Sequence, residues 1–398
     1  MKSIQESAYP LCFKTARPSG IAPAVAQGRL FVRSFAAALE GMQKQALIAS
    51  AHDDAVWNMV CDEGPYLNGT DLAPFPLAFF TTGMATSIVM ELEALIRRRA
   101  LNAGAMRLTL DNTYTMEGSA LRGTMVGGAL PVCVEVETEH DIGRAVMADL
   151  VSQSLQASPA IGLLRDELVS RFALTHNKAS LAPGRVAGVQ PATSAAPFDL
   201  LAMAAPTRSD CYADGIIRKL SSADSVFGVE GGAGSSLAAE QKRQLHVRGI
   251  AERRADGLLA LQVQLFKPIG SVFHFLADAS PAFGGSGRAP SGLAYLSAGI
   301  AFCFLTQLGR FAHIAKQQLD SYGIVQDIRF DSPGISAGTG KPAGAKPVDT
   351  HVHVESPESV ESIRHLVDMG EQTCFLHAAC RTPLKPRMRL RDRREQAA

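Results

Sequence analysis

The stretch GEQTCFLHAACRTP, residues 370–383, sets Cys374, His377 and Cys380 three residues apart. On a helix, that spacing places all three on one face. An imidazole in that position can take the proton of Cys374, and the thiolate rather than the thiol is the nucleophile. The trio makes a poor zinc site, because one short helix offers three soft ligands and no fourth; no metal is expected. The plain alternative is a helix end carrying a partly exposed histidine. A further cysteine, Cys303, sits between Phe302 and Phe304 in SAGIAFCFLTQLGRFA. Apolar burial raises a thiol's pKa, so Cys303 reads as core filling unless a second thiol or a cation reaches it. Arg310, two turns on, is the candidate cation.

Elements that could position these groups come twice. At a shift of 216 residues, Glu40-Gly41 falls on Asp256-Gly257, Asp62 on Asp278 and Pro65 on Pro281. Gly69 falls on Gly285, Ala73-Pro74 on Ala289-Pro290, Gly83 on Gly299, and Pro131-Val132 on Pro347-Val348. Turn residues rarely keep register by chance, so two copies of one fold are expected. Each copy reads as two strands, a proline-led helix that is apolar nearly all round, a strand and a last helix. The long helices are expected to run to about Gly104 and Gly323, where glycine stops them. The alternation in PVDTHVHVE puts Asp349, His351 and His353 on one strand face. An edge strand's polar face explains these residues better than a metal site does. Between the copies, ASLAPGRVAGVQPATSAAP reads as a linker. The expected domains are 1–178, a linker at 179–206, and 207–398.

Composition sets the class. The chain has 398 residues, 46% apolar and 19% charged, with a formal net charge of +1. A near-neutral, core-forming chain of this length suggests about two globular domains, not built as a whole to attract nucleic acid or membrane. No apolar run approaches the ~20 residues of a membrane span, and the N-terminal segment lacks a signal-peptide apolar region. A cytoplasmic location, where thiols stay reduced, is the expectation. Seven cysteines without CxxC pairing argue against a disulfide framework. The tail RTPLKPRMRLRDRREQAA is basic but has no interleaved aromatics, so it reads as a solvated terminus and nucleic-acid binding is disfavoured. GISAGTGKP lacks the phosphate-loop spacing, and GGSGRAP lacks the third glycine of a dinucleotide loop.

Taken with this order of elements, FGGSGRAPSGLAYLSAGIAFCF (283–304) and GEQTCFLHAACRTP resemble the OsmC/Ohr family of osmotically inducible and organic hydroperoxide resistance proteins. LNGTDLAPFPLAFFTTGM (67–84) and QASPAIGLL (156–164) carry the resemblance in the first copy. It implies an α+β fold: two tandem OsmC-like domains, with curved antiparallel sheets around long central helices, forming an intramolecular pseudo-dimer. It also implies reduction of organic hydroperoxides by a cysteine on the central helix and a resolving cysteine on the last helix. The family's central cysteine position is occupied here by Met84 and Ile300, and its second position by Ser158 and Cys374. The family's helix-opening carboxylate is missing, and its activating arginine has no clear place; Arg253 and Arg254 are candidates by location only. Cys303 lies one turn beyond Ile300, close enough to face the same space. At the repeat offset the first copy has Ser87 and Ser158 where the second has Cys303 and Cys374.

Three functions follow as expectations. The first is a redox protein, a thiol-dependent hydroperoxide reductase at one site, with Cys303 and Cys374 catalytic, His377 and Arg310 supporting, no cofactor, and an unidentified thiol reductant. The second is an inactive fold holding a small apolar ligand in an inter-domain cleft lined by Met84 and Ile300. The third is a scaffold whose basic tail recruits a partner. Further pairing into a homo-oligomer is left open.

Overall fold

The structure is a computed structural model that describes residues 2–16, 18, 21, 23, 29–53, 55–191, 195–207, 215–223, 241–332 and 335–390. Its first half runs β1 (Cys12–Thr15), β2 (Arg29–Ala38), β3 (Lys44–Ser50), β4 (Val56–Cys61), α1 (Pro76–Arg98), β5 (Met106–Gly118), β6 (Val126–Ala129), β7 (Cys133–Thr138), α2 (Arg144–Ala157), α3 (Pro159–Arg165) and β8 (Arg171–His176). The segment read as a linker follows, carrying β9 (Ala179–Leu181), β10 (Ala187–Gly188) and α4 (Phe198–Ala202). The second half runs β11 (Ile217–Ser221), β12 (Gln241–Arg253), β13 (Leu259–Lys267), β14 (Ile269–Ala277), α5 (Gly292–Ile314), β15 (Ser321–Asp331), β16 (Asp349–Glu355), α6 (Val360–Thr373), α7 (Phe375–Arg381) and β17 (Arg387–Leu390).

The chain is α+β, with two large sheets. One sheet has the order β1-β4-β3-β2-β15-β16-β8-β10, with β9 on β8; the other runs β11-β14-β13-β12-β5-β7-β17, with β6 on β5. Each sheet joins strands from both halves. Its central seam is the long antiparallel pairing of β2 with β15, or of β12 with β5. The sheets are not wholly antiparallel, as had been expected. The strand after each half's last helices pairs in parallel with the other half, β8 with β16 and β17 with β7. A strand entered after a helical crossover can run in the same direction as its neighbour, whereas a hairpin cannot.

α5 packs on the β2–β3–β15 face and α1 on the β12–β13–β5 face, and the two helices pack on each other between the sheets. Their crossing needs two glycines. A Cβ on Gly83 would lie 2.5 Å from the Leu296 nitrogen, and one on Gly299 would lie 2.6 Å from the Phe80 nitrogen. Nothing larger than hydrogen fits at such backbone approaches.

Several sequence expectations need correction. The central helices end at Arg98 and Ile314, not near Gly104 and Gly323; Gly323 lies inside β15. Each is followed two residues later by a non-glycine residue at positive φ, Ala100 at 52° and Lys316 at 56°. The left-handed turn that ends a helix tolerates such residues at modest strain. Pro76, not Pro74, opens α1, and Ser291 caps α5 just after Pro290. Both central helices are long and apolar enough to cross a membrane, although no such run was expected; 78% and 89% of their most apolar windows are buried within the protein. The 179–206 segment is more than a bare linker. Leu201 and Ala204 cover the outer face of the first sheet with Phe35, Leu47, Val56 and Val325 in a second small core. The basic tail is in part a strand: Arg387 and Arg389 belong to β17, while Arg391, Arg393 and Arg394 lie outside the described residues.

Candidate active site

Cys303 sits in mid-α5, and Cys374 sits at the break between α6 and α7. Cys374 ends α6 and opens α7 with extended backbone, φ −72° and ψ 119°. Ser158 holds the same position between α2 and α3, at φ −66° and ψ 119°. There Pro159 forces the break, since a residue before proline is pushed out of the helical region. Phe375 follows Cys374, so the second break has no proline and is braced from outside. Gln372 donates to the carbonyls of Gly123 (3.1 Å) and Met125 (2.8 Å), and Arg381 binds Glu371 and the Gln372 carbonyl. The backbone of β6 lies directly on the break: a Cβ on Gly127 would meet the Thr373 carbonyl oxygen at 2.7 Å.

The break brings the two sulfurs together. Both are buried, and they lie close enough for each to shift the other's pKa. Both are free thiols. Burial pushes Cys303 well up, and its position beside Cys374 pushes it further; the Leu376 backbone N–H offsets part of this. Burial also raises Cys374, but this is more than reversed by the neighbouring Cys303 and by His377. Cys374 is therefore the sulfur held well below an ordinary thiol. Cys380, the third cysteine of the motif, is buried close by and pushed up by that burial.

His377 is not the partly exposed helix-end histidine considered from the sequence. It has no solvent exposure and lies between the rings of Phe172 and Phe304, with centroids at 5.6 and 5.3 Å. Neither ring nitrogen has a hydrogen-bond partner. The ring lies near enough to Cys374, three residues back, to help lower its pKa.

A charged wall flanks Cys303, and most of it comes from the other half of the chain. Arg310 does face the site: burial lowers its pKa, while Glu63, Tyr66 and Cys303 hold its charge. Tyr66 donates to Glu63 at 2.7 Å. Burial raises the Glu63 carboxyl, against the opposing pull of Lys44, Tyr66 and Arg310. Arg243 on β12 joins this group, its pKa lowered to about 9 by burial and by the neighbouring Arg310. The sequence reading missed Glu63, Tyr66, Lys44 and Arg243. A signal for the first three was present. At the repeat offset they fall on Ala279, Ala282 and Ala260, so the halves diverge at these positions, as they do at the cysteines.

Other candidates fall elsewhere. Arg253 binds Glu93 and Arg254 binds Asp256, so neither serves the thiols. Met84 and Ile300 have no exposed surface and fill the core at the helix crossing; they line no ligand cleft. An open cleft of about 570 Å³ does exist, but its walls include Glu93, Arg97, Arg253, Asp256 and Arg288. His351 and His353 are buried on a central strand, not on the polar face of an edge strand. His351 is bonded to Thr175, and Asp349 is held by Arg171 and Arg329. No metal-ligand cluster of three occurs among the described residues. In the first half the Ser87 and Ser158 hydroxyls are 2.8 Å apart, in the same relation as the two thiols. Cys211 lies outside the described residues.

The molecule is thus an α+β protein with a buried dithiol between a central helix and a helix break. Residues 285–388, which include both cysteines, match the family model described as OsmC-like protein. Among solved structures, an OsmC-like hydroperoxide resistance protein from Jannaschia sp. CCS1 is similar at 22% identity, over 33% of this chain and 83% of that one, with a TM-score of 0.21. No curated protein matches the chain.

Proposed function

We propose that this protein is a one-site dithiol reductase of organic hydroperoxides, built as two OsmC-like units in one chain, 1–178 and 207–398, that pair as an intramolecular pseudo-dimer. The observation that carries the reading is the neighbouring Cys303–Cys374 pair, buried within the segment that matches the OsmC-like model. The pairing of units is supported by helices whose bounds repeat at the 216-residue offset, α1 with α5, α2 with α6 and α3 with α7. It is supported too by a shared loop: Asp62 and Asp278 each take three backbone N–H groups and a hydroxyl, from Glu63, Thr70 and Leu72 or from Ala279, Ser286 and Arg288. In the reaction, the two thiols supply two electrons and two protons. The peroxide leaves as alcohol and water, and a thiol reductant of a reducing compartment such as the cytoplasm restores the pair.

The test is to add one equivalent of tert-butyl hydroperoxide to the reduced full chain, count thiols and map disulfides by mass spectrometry. Fast loss of two thiols with a Cys303–Cys374 link is expected. Slow oxidation scattered over several cysteines would make the pair core packing and end the proposal.

A further inference from the structure

The repeat offset pairs the charged wall beside the thiols with a region of opposite character. Lys44, Glu63, Tyr66 and Arg310 fall on Ala260, Ala279, Ala282 and Ala94, so four large polar side chains have methyl groups as counterparts. On that side of the molecule lies the open cleft of about 570 Å³, with Ala279 in its wall. Its volume is within the roughly 300–1,000 Å³ of small-molecule sites. The end of α1 and the start of β5 form one side of it, and the β12–β13 turn and the loop 278–288 form the other. Its apolar surface comes from Met90, Ile96, Leu101, Met106 and Phe283. Phe283 is 58% exposed, whereas Leu67, its counterpart in the loop beside the thiols, is 6% exposed. The apolar residue that one loop tucks into the core is turned by the other toward open space, where an exposed apolar surface next to polar groups marks a binding site.

The carboxylates of the cleft are already bound. Glu93 is held by Arg253, and Asp256 by Arg254 and the Leu258 N–H. Asp278 takes the N–H groups of Ala279, Ser286 and Arg288 and the Ser286 hydroxyl. Two cations keep free donors. Arg97, exposed in the last turn of α1, has no ion pair or side-chain hydrogen bond among the described residues. Arg288 bonds to the Ser286 hydroxyl and the Asp256 carbonyl, neither of which carries charge. With Arg254 at its edge, four arginines stand against three carboxylates, Arg97, Arg253, Arg254 and Arg288 against Glu93, Asp256 and Asp278. A guanidinium's planar fork matches a carboxylate, and the neighbouring apolar side chains favour a hydrocarbon body over water. We infer that this cleft is a binding site for an amphipathic carboxylate, with Arg97 and Arg288 on its charged end and Phe283 and Met106 along its chain. The site lies in the half without the dithiol and does not depend on the dithiol chemistry.

The experiment is calorimetric titration of the full chain with decanoate, below its micelle concentration, and with decanol as the neutral counterpart. A single decanoate should bind, and decanol should bind about tenfold more weakly, as expected for losing a charged hydrogen bond. Arg97→Gln should weaken decanoate about tenfold on the same ground and leave decanol unchanged. Ala279→Glu with Ala94→Arg gives the cleft the two groups that the thiol half carries at those positions, and decanoate binding should be lost. The same fold holds Glu63 and Arg310 at the equivalent places, so folding should survive, and a retained melting curve checks this. Phe283→Ala, at an exposed position, is the second variant and should weaken both ligands. Cys303→Ser with Cys374→Ser should bind decanoate as the wild type does, whether or not the wild type reduces peroxide, which keeps this inference separate from the dithiol reading. Equal affinity for decanoate and decanol, or an unchanged affinity in Arg97→Gln, would overturn the carboxylate assignment. Binding that survives both the filled cleft and Phe283→Ala would place the ligand elsewhere, and no binding to the wild type would remove the site.

Discussion

Two places in this molecule share a backbone and differ in chemistry. Where α5 meets the α6–α7 break, Cys303 and Cys374 lie together near His377, Glu63, Tyr66 and Arg310. Where α1 meets the α2–α3 break, Ser87 and Ser158 touch, and Ile161, Ala279, Ala282 and Ala94 stand at the equivalent positions. The break itself has nearly the same dihedral angles in both. The fold therefore does not require the thiols, because a hydroxyl pair completes it equally well. What the second place has beyond the first is a set of titratable groups, each expensive to bury. Such groups gathered around one nucleophile are a mark of a working site more than of a structural need.

The strongest break in the comparison is to erase it. Cys303→Ser with Cys374→Ser converts the dithiol into the hydroxyl pair seen in the first half. All fast hydroperoxide consumption should vanish while the melting temperature moves by only a few degrees; a coupled peroxide assay and a thermal scan check both. Loss of folding would instead show that the thiols hold the structure.

The reverse exchange should have a smaller effect. Ser87→Cys with Ser158→Cys should raise the thiols lost on full oxidation from two to four per chain, counted with a thiol reagent. The new pair should react with peroxide far more slowly, because Ile161 offers no base, and Ile161→His should recover part of the rate. Equal rates at both pairs would show that the charged wall and His377 are ornament.

The bracing of the proline-free break comes next. Arg381→Ala removes the Arg381–Glu371 pair at 2.5 Å and the bond to the Gln372 carbonyl. A cost of about 1.5–3 kcal/mol is expected for a charge-assisted contact of this kind, read as a lower denaturant midpoint and slower peroxide turnover together. An unchanged midpoint would mean that the β6 strap holds the break unaided.

The smallest effect concerns pH. Burial and the adjacent His351 lower the pKa of His353 to about 4 from an unfolded value near 6.5. Its folded form is therefore the neutral one. The stability it contributes is complete above about pH 6.5 and is lost as pH falls toward 4. The wild type should lose a few degrees of melting temperature more than His353→Gln does across that window. Parallel curves would assign the acid loss to other groups.

Much of this site was legible in the sequence, for local reasons. The helix bounds follow the repeat register because turns, caps and apolar periodicity are written in neighbouring residues. The nearness of Cys303 to Cys374 was one of two readings that the repeat and the family resemblance left open, beside core filling. The supporting residues were harder to see. Arg253 and Arg254 had the right residue type but the wrong strand end, and the carboxylate at the thiol site, Glu63, comes from the far half of the chain.

The sequence alone determined the order of elements, the helix faces and the residues that recur at a 216-residue offset, with serines at 87 and 158 where the second half has cysteines at 303 and 374. Each of these depends on residues within a few turns of one another or on the chain's likeness to itself. Only the tertiary structure decided that the halves interleave, with β2 on β15 and β12 on β5. Strand alternation fixes which face is buried but not which strand lies alongside. That exchange of strands also brings Glu63, Tyr66 and Lys44 from the first half, and Arg243 from the second, to the thiols. The same holds for His377. Its spacing from Cys374 was plain, but its burial between Phe172 and Phe304, which come from different parts of the chain, was not. Solvation is a property of the assembled core, and no local pattern of residues encodes it.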